Sequence, residues 1–327
     1  MKVLVTGNSG LIGRWVGARL DVEGVVWAGL DRLERVSGQG AAKHYQGDLN
    51  NIEFLRKAFC DFQPTHVIHL AARCDLKGKT LEDYETNRGG VEGLAQVVSE
   101  TLSVQRVVYT SSQLVCNVGY VPQSDADYCP HTVYGESKVA TEEAVRYLNG
   151  GGVDWCLARP TTVWGPYMSE HYQSLLRHII KGTYFHSGRG ALHKSYSYAE
   201  NIAHQYWKLL GAPKEQIHGE VFYMADYEPL SLRDYANTLA DAMGVKRPWV
   251  MPLPCAKLLG HCGDLLNRIG VKFPYNSFRL NNIRTEYIFD LSKTESVCGP
   301  LPKSFEEGVK ETAEWYLSKI KSYNETQ

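Results

Sequence analysis

Tyr134 and Lys138 stand four residues apart in Tyr-Gly-Glu-Ser-Lys, so any helix that contains them puts a phenol and an ammonium on one face, a turn apart. A cation at that distance favours phenolate and draws the tyrosine pKa down toward neutrality. Such a tyrosine can pass a proton to or from an alcohol oxygen. A chain with 20 tyrosines is expected to hold about one such pair by chance, and this chain holds one, so the spacing decides nothing. Position decides. The β-branched run Arg106 to Thr110 precedes the pair and ends in Ser111-Ser112. A hydroxyl at the carboxyl end of a strand can bond a reacting oxygen and hold it against the tyrosine. The expected catalytic set is Tyr134, Lys138, Ser112 and Ser111.

A second constellation opens the chain. Gly7-Asn8-Ser9-Gly10-Leu11-Ile12-Gly13 follows the strand-like run Lys2 to Thr6 and leads into an amphipathic stretch. Glycines in a strand-turn-helix context let the backbone approach a pyrophosphate, which then sits on the amides of the helix N-terminus. Three glycines in seven positions are weak alone; the context is what the motif requires. Asp31 ends the next strand-like run, about 20 residues on, where a carboxylate accepts the hydroxyls of an adenosine ribose and repels a 2′-phosphate. NAD is therefore the expected cofactor, with NADP left open by the adjacent Arg32. Asp48, in Gly47-Asp48-Leu49, can accept the adenine amine.

These residues need a scaffold, and the sequence alternates to supply one. Strands are expected at Lys2–Thr6, Val25–Leu30, His44–Gln46, His66–Leu70, Arg106–Thr110 and Asp154–Ala158. Helices are expected at Leu11–Asp21, Asn51–Phe62, Leu81–Leu102 and Tyr134–Tyr147. This rhythm makes βαβ units, a Rossmann-type doubly wound parallel sheet, and one edge that gathers every strand's carboxyl end. After Pro160 the pattern turns mixed and proline-rich, with a terminal helix at Phe305–Ile320. A cofactor domain over 1–165, joined by part of 195–225, and a substrate region over 166–327 follow.

Composition excludes other classes. With 35 Lys+Arg against 36 Asp+Glu the formal charge is −1, which leaves no footprint for nucleic acid. No stretch approaches the roughly 20 apolar residues of a spanning helix, so no membrane partner is expected. Eight scattered cysteines with no CxxC pair fit neither a zinc site nor a disulfide framework, and no metal is expected. A cytoplasmic protein is the expectation.

Taken in order, the motifs resemble those of the extended short-chain dehydrogenases/reductases of the NAD-dependent epimerase/dehydratase family. The matching pieces are the turn from Thr6 to Gly13, Asp31, Gly47-Asp48-Leu49, His69-Leu70-Ala71-Ala72, Asn87, Ser111-Ser112 and Tyr134 to Lys138. Arg159-Pro160 to Pro166, Glu228 to Leu232 and Asp290 to Lys293 also fit, so the likeness spans the chain. It implies about seven parallel strands, bound NAD or NADP, and a homodimer through a four-helix bundle. Tyr134 would be the acid/base, Lys138 would hold the nicotinamide ribose, and Ser112 would bond the reacting hydroxyl. Ser9, Leu11, Ile12, Leu49, Leu70, Ala71, Ala72, Asn87, Pro160 and Val163 would line the cofactor.

Departures narrow the reaction. Sugar 4,6-dehydratases of this family carry an Asp-Glu pair where this chain has Gln113-Leu114, which argues against dehydration. Gln113 then becomes a candidate substrate contact. Lys194 and Arg279 stand near where the family grips nucleotide phosphates. The resemblance implies a nucleotide-sugar epimerase or ketoreductase working at a ring carbon, C4 foremost. A hydroxysteroid or lipid-alcohol dehydrogenase is the alternative, and a non-catalytic cofactor sensor a third reading.

Overall fold

The computed structural model describes residues 1–325. β1 (Lys2–Thr6) sends Val3 and Val5 into one apolar cluster and Leu4 into the other, as a period of two demands of a strand covered on both faces. After it come α1 (Leu11–Val22), β2 (Val26–Asp31), β3 (Lys43–Gln46), α2 (Ile52–Phe62), β4 (His66–His69), α3 (Glu85–Glu100), β5 (Arg106–Thr110), α4 (Val133–Tyr147) and β6 (Asp154–Pro160). The chain continues through β7 (Thr162–Trp164), α5 (Glu170–Ile180), β8 (Phe185–Ser187), β9 (His193–Lys194), β10 (Tyr196–Tyr198), α6 (Ala199–Gly211), α7 (Lys214–Ile217) and β11 (Glu220–Met224). Last are β12 (Leu230–Ser231), α8 (Leu232–Ala242), β13 (Trp249–Met251), α9 (Leu253–Arg268), α10 (Ser277–Arg284), α11 (Ser292–Cys298) and α12 (Phe305–Glu325).

Seven strands form one parallel sheet in the order β3-β2-β1-β4-β5-β6-β11. The expected doubly wound sheet is present, and its seventh strand, β11, was not located by the sequence pattern. The polar run Lys-His-Tyr-Gln of β3 suits an edge, where one side of the backbone has no neighbour. α1 and α6 cover one face through Val16, Leu20, Ile202 and Tyr206. α2, α3 and α4 cover the other through Leu55, Phe59, Leu94 and Val145. The chain reverses direction across the sheet between β1 and β4, and the crevice above that switch point is where such sheets take ligands.

Local chemistry sets the element ends. Asn51 caps α2 by accepting the Phe54 amide at 3.1 Å, and Gln63 closes it in the left-handed conformation at φ 52°. The helical stretch expected over Leu81–Leu102 is divided: a single 3₁₀ turn, Glu82–Tyr84, precedes α3. Asp83 tightens that entry by accepting the Lys79 amide at 2.8 Å and the Thr80 amide at 3.2 Å. β6 runs two residues past the expected end, to Pro160.

Two compact units divide the chain. The first comprises 1–163, 197–227 and 290–302, and therefore holds the whole parallel sheet. The second comprises 164–196, 228–289 and 303–327. Within it β8 pairs parallel with β13 and β9 antiparallel with β12. Trp164, Tyr235 and Phe305 form its aromatic centre, with Trp164 4.9 Å from Tyr235 and 6.2 Å from Phe305.

Candidate active site

The turn between β1 and α1 shows which glycines the fold needs. Gly7 sits at φ +73°, and a Cβ there would lie 2.7 Å from the Ala71 nitrogen. A Cβ on Gly13 would lie 2.2 Å from the Gly7 oxygen, so the third glycine lets helix and turn touch. Gly10 is different: its Cβ would meet only the Gly7 oxygen, at an ordinary 3.4 Å, and the residue is exposed. Nothing in the protein requires a glycine there, which fits a position kept bare for a ligand's approach. Gly10 is also the N-cap of α1 and gives it no side-chain cap, and no acidic residue occupies the first turn. The helix therefore presents backbone amides to an anion.

Asp31 lies at the carboxyl end of β2, with Oδ2 accepting the Ser9 amide at 3.0 Å and Oδ1 the Leu33 amide at 3.0 Å. Each oxygen keeps a lone pair, enough for the two hydroxyls of a ribose. Arg32 is exposed. Asp48 is exposed too, with Oδ1 on the Asn50 amide at 2.9 Å, while Leu49 is buried. Leu11, Ile12, Leu70, Ala71 and Ala72 are half-buried. The glycine cradle, the open helix end and Asp31 thus fit a dinucleotide.

Asn87 joins two segments of the chain. Its side chain accepts the Arg73 amide at 2.8 Å and donates to the Arg73 carbonyl at 3.0 Å and to Ser137 Oγ at 2.9 Å. All its donors are committed, so it ties the loop after β4 to α4. His69 is buried beside Thr6, 2.8 Å from Nδ1 to Oγ1, and Thr6 Oγ1 accepts the Ala71 amide at 3.2 Å. Thr6 and His69 thus share a buried hydrogen bond whose donor follows the tautomer of the ring. Burial, aided by the Lys138 charge, holds the His69 pKa down at about 3, so the ring stays neutral.

α4 begins at Thr132, whose hydroxyl accepts the Gly135 amide at 3.0 Å. A Cβ on Gly135 would stand 2.3 Å from the Leu114 oxygen, so this glycine lets the helix start lie directly on the turn that follows β5. Tyr134 and Lys138 are both buried. Lys138 Nζ donates to the Thr110 carbonyl at 3.0 Å, and desolvation lowers its pKa. The two serines after Thr110 divide the work. Ser111 Oγ donates to Glu142 at 2.5 Å, inside the protein. Ser112 Oγ accepts the Leu114 amide at 3.1 Å, which leaves its hydroxyl proton to donate.

Sequence reasoning missed Glu142, which shares the Tyr134–Lys138 face one turn further along. It is fully buried and bidentate to Arg159, 2.8 Å at Nε and 2.8 Å at Nη2, and also accepts from Tyr128 at 2.9 Å. Its signal was present: a Tyr-Lys-Glu row at four-residue spacing. Gln113 Nε2 lies 3.4 Å from Thr162 Oγ1; Pro160 and Val163 are buried at and beyond the end of β6.

In the second unit Lys194 is 7 % exposed, donates to the Asn282 carbonyl at 2.7 Å, and is pushed down to about 8 by burial. Arg279 is exposed on α10. Arg284 and Arg233, which the sequence did not single out, instead converge on one turn: Arg284 Nη1 donates to the Ser187 carbonyl at 3.1 Å and Arg233 Nη2 to that of Gly188 at 2.6 Å. Neither arginine nor Lys194 pairs with a carboxylate among the described residues. No group of three or more metal-binding side chains occurs among those residues either.

The chain is similar to proteins already known. The chain is 25 % identical over 322 residues to N-acetyl-alpha-D-glucosaminyl-diphospho-ditrans,octacis-undecaprenol 4-epimerase of Escherichia coli O157:H7, covering 96 % of this chain and 95 % of that one. It is 27 % identical over 266 residues to a 3 beta-hydroxysteroid dehydrogenase/Delta 5-->4-isomerase of Mycobacterium tuberculosis, covering 76 % of this chain and 70 % of the relative. The fold matches that of UDP-glucose 4-epimerase from Thermotoga maritima, solved with UDP-glucose, at a TM-score of 0.75 and 20 % identity, covering 98 % of this chain and all of that one. The model of the NAD dependent epimerase/dehydratase family matches residues 3–225, which take in the glycine cradle, the Ser-Tyr-Lys set and all seven strands, and the chain belongs to that family.

Proposed function

We propose that this chain is a nucleotide-sugar epimerase or ketoreductase that works at ring carbon C4, with Tyr134 as its acid/base. One observation carries the reading: Lys138 is buried on the Tyr134 face of α4 and bonded at 3.0 Å to the carbonyl that directly precedes Ser111-Ser112. A buried ammonium one turn from a phenol stabilises phenolate, so Tyr134 can take the proton of a sugar hydroxyl and return it. Ser112 donates to the same oxygen and orients it, while Ser111 braces the strand end through Glu142. Bound NAD would supply the hydride acceptor, held by the Gly7–Gly13 turn and Asp31. Lys194 and Arg279 are the cations proposed for the diphosphate, with Arg284 beside the Ser187 carbonyl as an added candidate and Gln113 as a further substrate contact. The first unit is proposed to hold the cofactor and the second to supply most substrate contacts, in a cytoplasmic homodimer built on α3 and α4.

Tyr134→Phe is expected to lower turnover of nucleotide sugars by about 10²–10⁴-fold while leaving NAD binding intact. Undiminished activity would overturn the acid/base assignment. Epimerisation leaves absorbance at 340 nm flat and the product mass unchanged; net reduction consumes the reduced cofactor. The relative from Mycobacterium tuberculosis supports a second reading, oxidation of a steroid-like alcohol, and a sterol tested beside the sugar panel discriminates the two.

A further inference from the structure

α9 packs on its own protein along one side and leaves a row of large apolar residues uncovered along another. The residues it turns inward are small: Ala256, Gly260 and Gly263 are its buried positions. The glycines let it approach the next segment closely, for a Cβ on Gly263 would stand 1.9 Å from the Tyr275 oxygen and one on Gly260 3.3 Å from the Ser277 nitrogen. Leu253, Leu259 and Leu266 are half-buried beside them, and three large residues point outward. Leu258 is 66 % exposed, Leu265 62 % and Ile269 68 %, and Cys255 and Cys262 are exposed between them. These five are spaced three and four apart, which at about 100° per residue draws one narrow stripe along the helix. The exposed Phe278, on the α10 that packs against α9, extends the apolar surface.

Charge says what this face meets. From Trp249 to Thr285 there are five Lys and Arg and one acid, Asp264, in a chain whose formal charge is −1. On the helix, Lys257 and Arg268 fall along one margin of the stripe by the same 100° step, with the single acid, Asp264, beside them against His261. Lys272 and Arg279 follow in the next turns. A second copy of this face would set cation against cation. An anionic bilayer matches both parts, taking the apolar stripe among its acyl chains and the cations among its headgroups. No described helix is long and apolar enough to cross a membrane, and interfacial docking needs none.

We propose that α9, with the neighbouring part of α10, is an interfacial docking surface for anionic phospholipid membranes. This departs from the expectation of no membrane partner, which rested on the lack of a spanning stretch. It also stands independently of the reaction proposed above. The test is co-sedimentation of the full chain with phosphatidylcholine vesicles, with and without phosphatidylglycerol, at low and high salt. The chain is expected to pellet with the anionic vesicles and to release as salt rises. The combined Leu258→Ser, Leu265→Ser and Ile269→Ser variant should lose about tenfold or more of that binding while keeping its circular dichroism and NAD affinity. Lys257→Gln and Arg268→Gln, on residues far from any core, should each lose about fivefold. A chain that stays in the supernatant with anionic vesicles overturns the proposal. So does binding that survives all these substitutions, or a lipid-free dimer that the serine variant dissociates, since a second copy would then own the face.

Discussion

Two glycines three residues apart in one turn make different demands. Gly7 holds a positive φ and stands against the Ala71 backbone, so Gly7→Ala should destabilise the fold itself, by more than the ~1 kcal/mol of an ordinary glycine exchange. Gly10 is bare on the protein side, so Gly10→Ala should fold with an unchanged melting temperature and lose NAD affinity, read by fluorescence titration of the dinucleotide. Equal losses of stability in both variants would remove the argument for Gly10 as a ligand position. Lys194 yields a pH prediction. Its ammonium is pushed down to about 8, because burial penalises the charged form. A diphosphate stabilises that charge, so KM for the nucleotide sugar should rise as pH climbs past about 8 and the free chain sheds the proton. Lys194→Arg stays charged and should flatten the rise; a profile unchanged by that exchange would dissociate Lys194 from the phosphates.

At the scale of elements, one face of α4 carries the proposed acid/base pair and its support together. Lys138 meets the end of β5, with Tyr134 a turn before it and Glu142 a turn after it on the same row. Arg159 on β6 meets Glu142 with two hydrogen bonds and gives another to Tyr223 of β11 at 3.0 Å, and with Ser111 beyond the end of β5 it fastens α4, β5, β6 and β11 in one network. Such a pair contributes little net stability, yet breaking it strands a charge. Arg159→Met should therefore destabilise the chain by about 3–5 kcal/mol in urea unfolding, and the double variant Arg159→Met/Glu142→Gln by clearly less. A single variant no weaker than the double would mean that the pair is not coupled. The division between Ser111 and Ser112 belongs to this scale. Both were legible as hydroxyls at a strand end, but only the placement of Glu142 assigns Ser111 inward.

The whole molecule raises the question of what covers its outer faces. The outward side of α3 is polar, with Arg88 and Glu92 paired at 3.1 Å and Gln96 and Ser99 beyond them. A homodimer built there would be of the wet kind, held by hydrogen bonds as much as by apolar area. Light scattering at micromolar concentration should give twice the mass of one chain, and the α9 serine variant should give the same value; a monomer would remove the dimer from the proposal. The local pattern of residues was sufficient for the parallel sheet, the glycine turn and the Tyr-Lys row, because strand and helix periods and tight turns are set within a few residues. The final strand was not legible, since β11 earns its place by pairing with β6, more than sixty residues earlier in the chain. Asn87 shows the same limit: an asparagine reads alike whether it faces a cofactor or clamps a loop, and its partners at Arg73 and Ser137 come from separate elements. Sequence alone determined the family and the cofactor class and supplied the trio proposed for catalysis, because each is carried by residue types at short spacing. Only the tertiary structure decided which hydroxyl is tied inward and which helix face is uncovered, because burial and hydrogen-bond partners arise where distant segments meet.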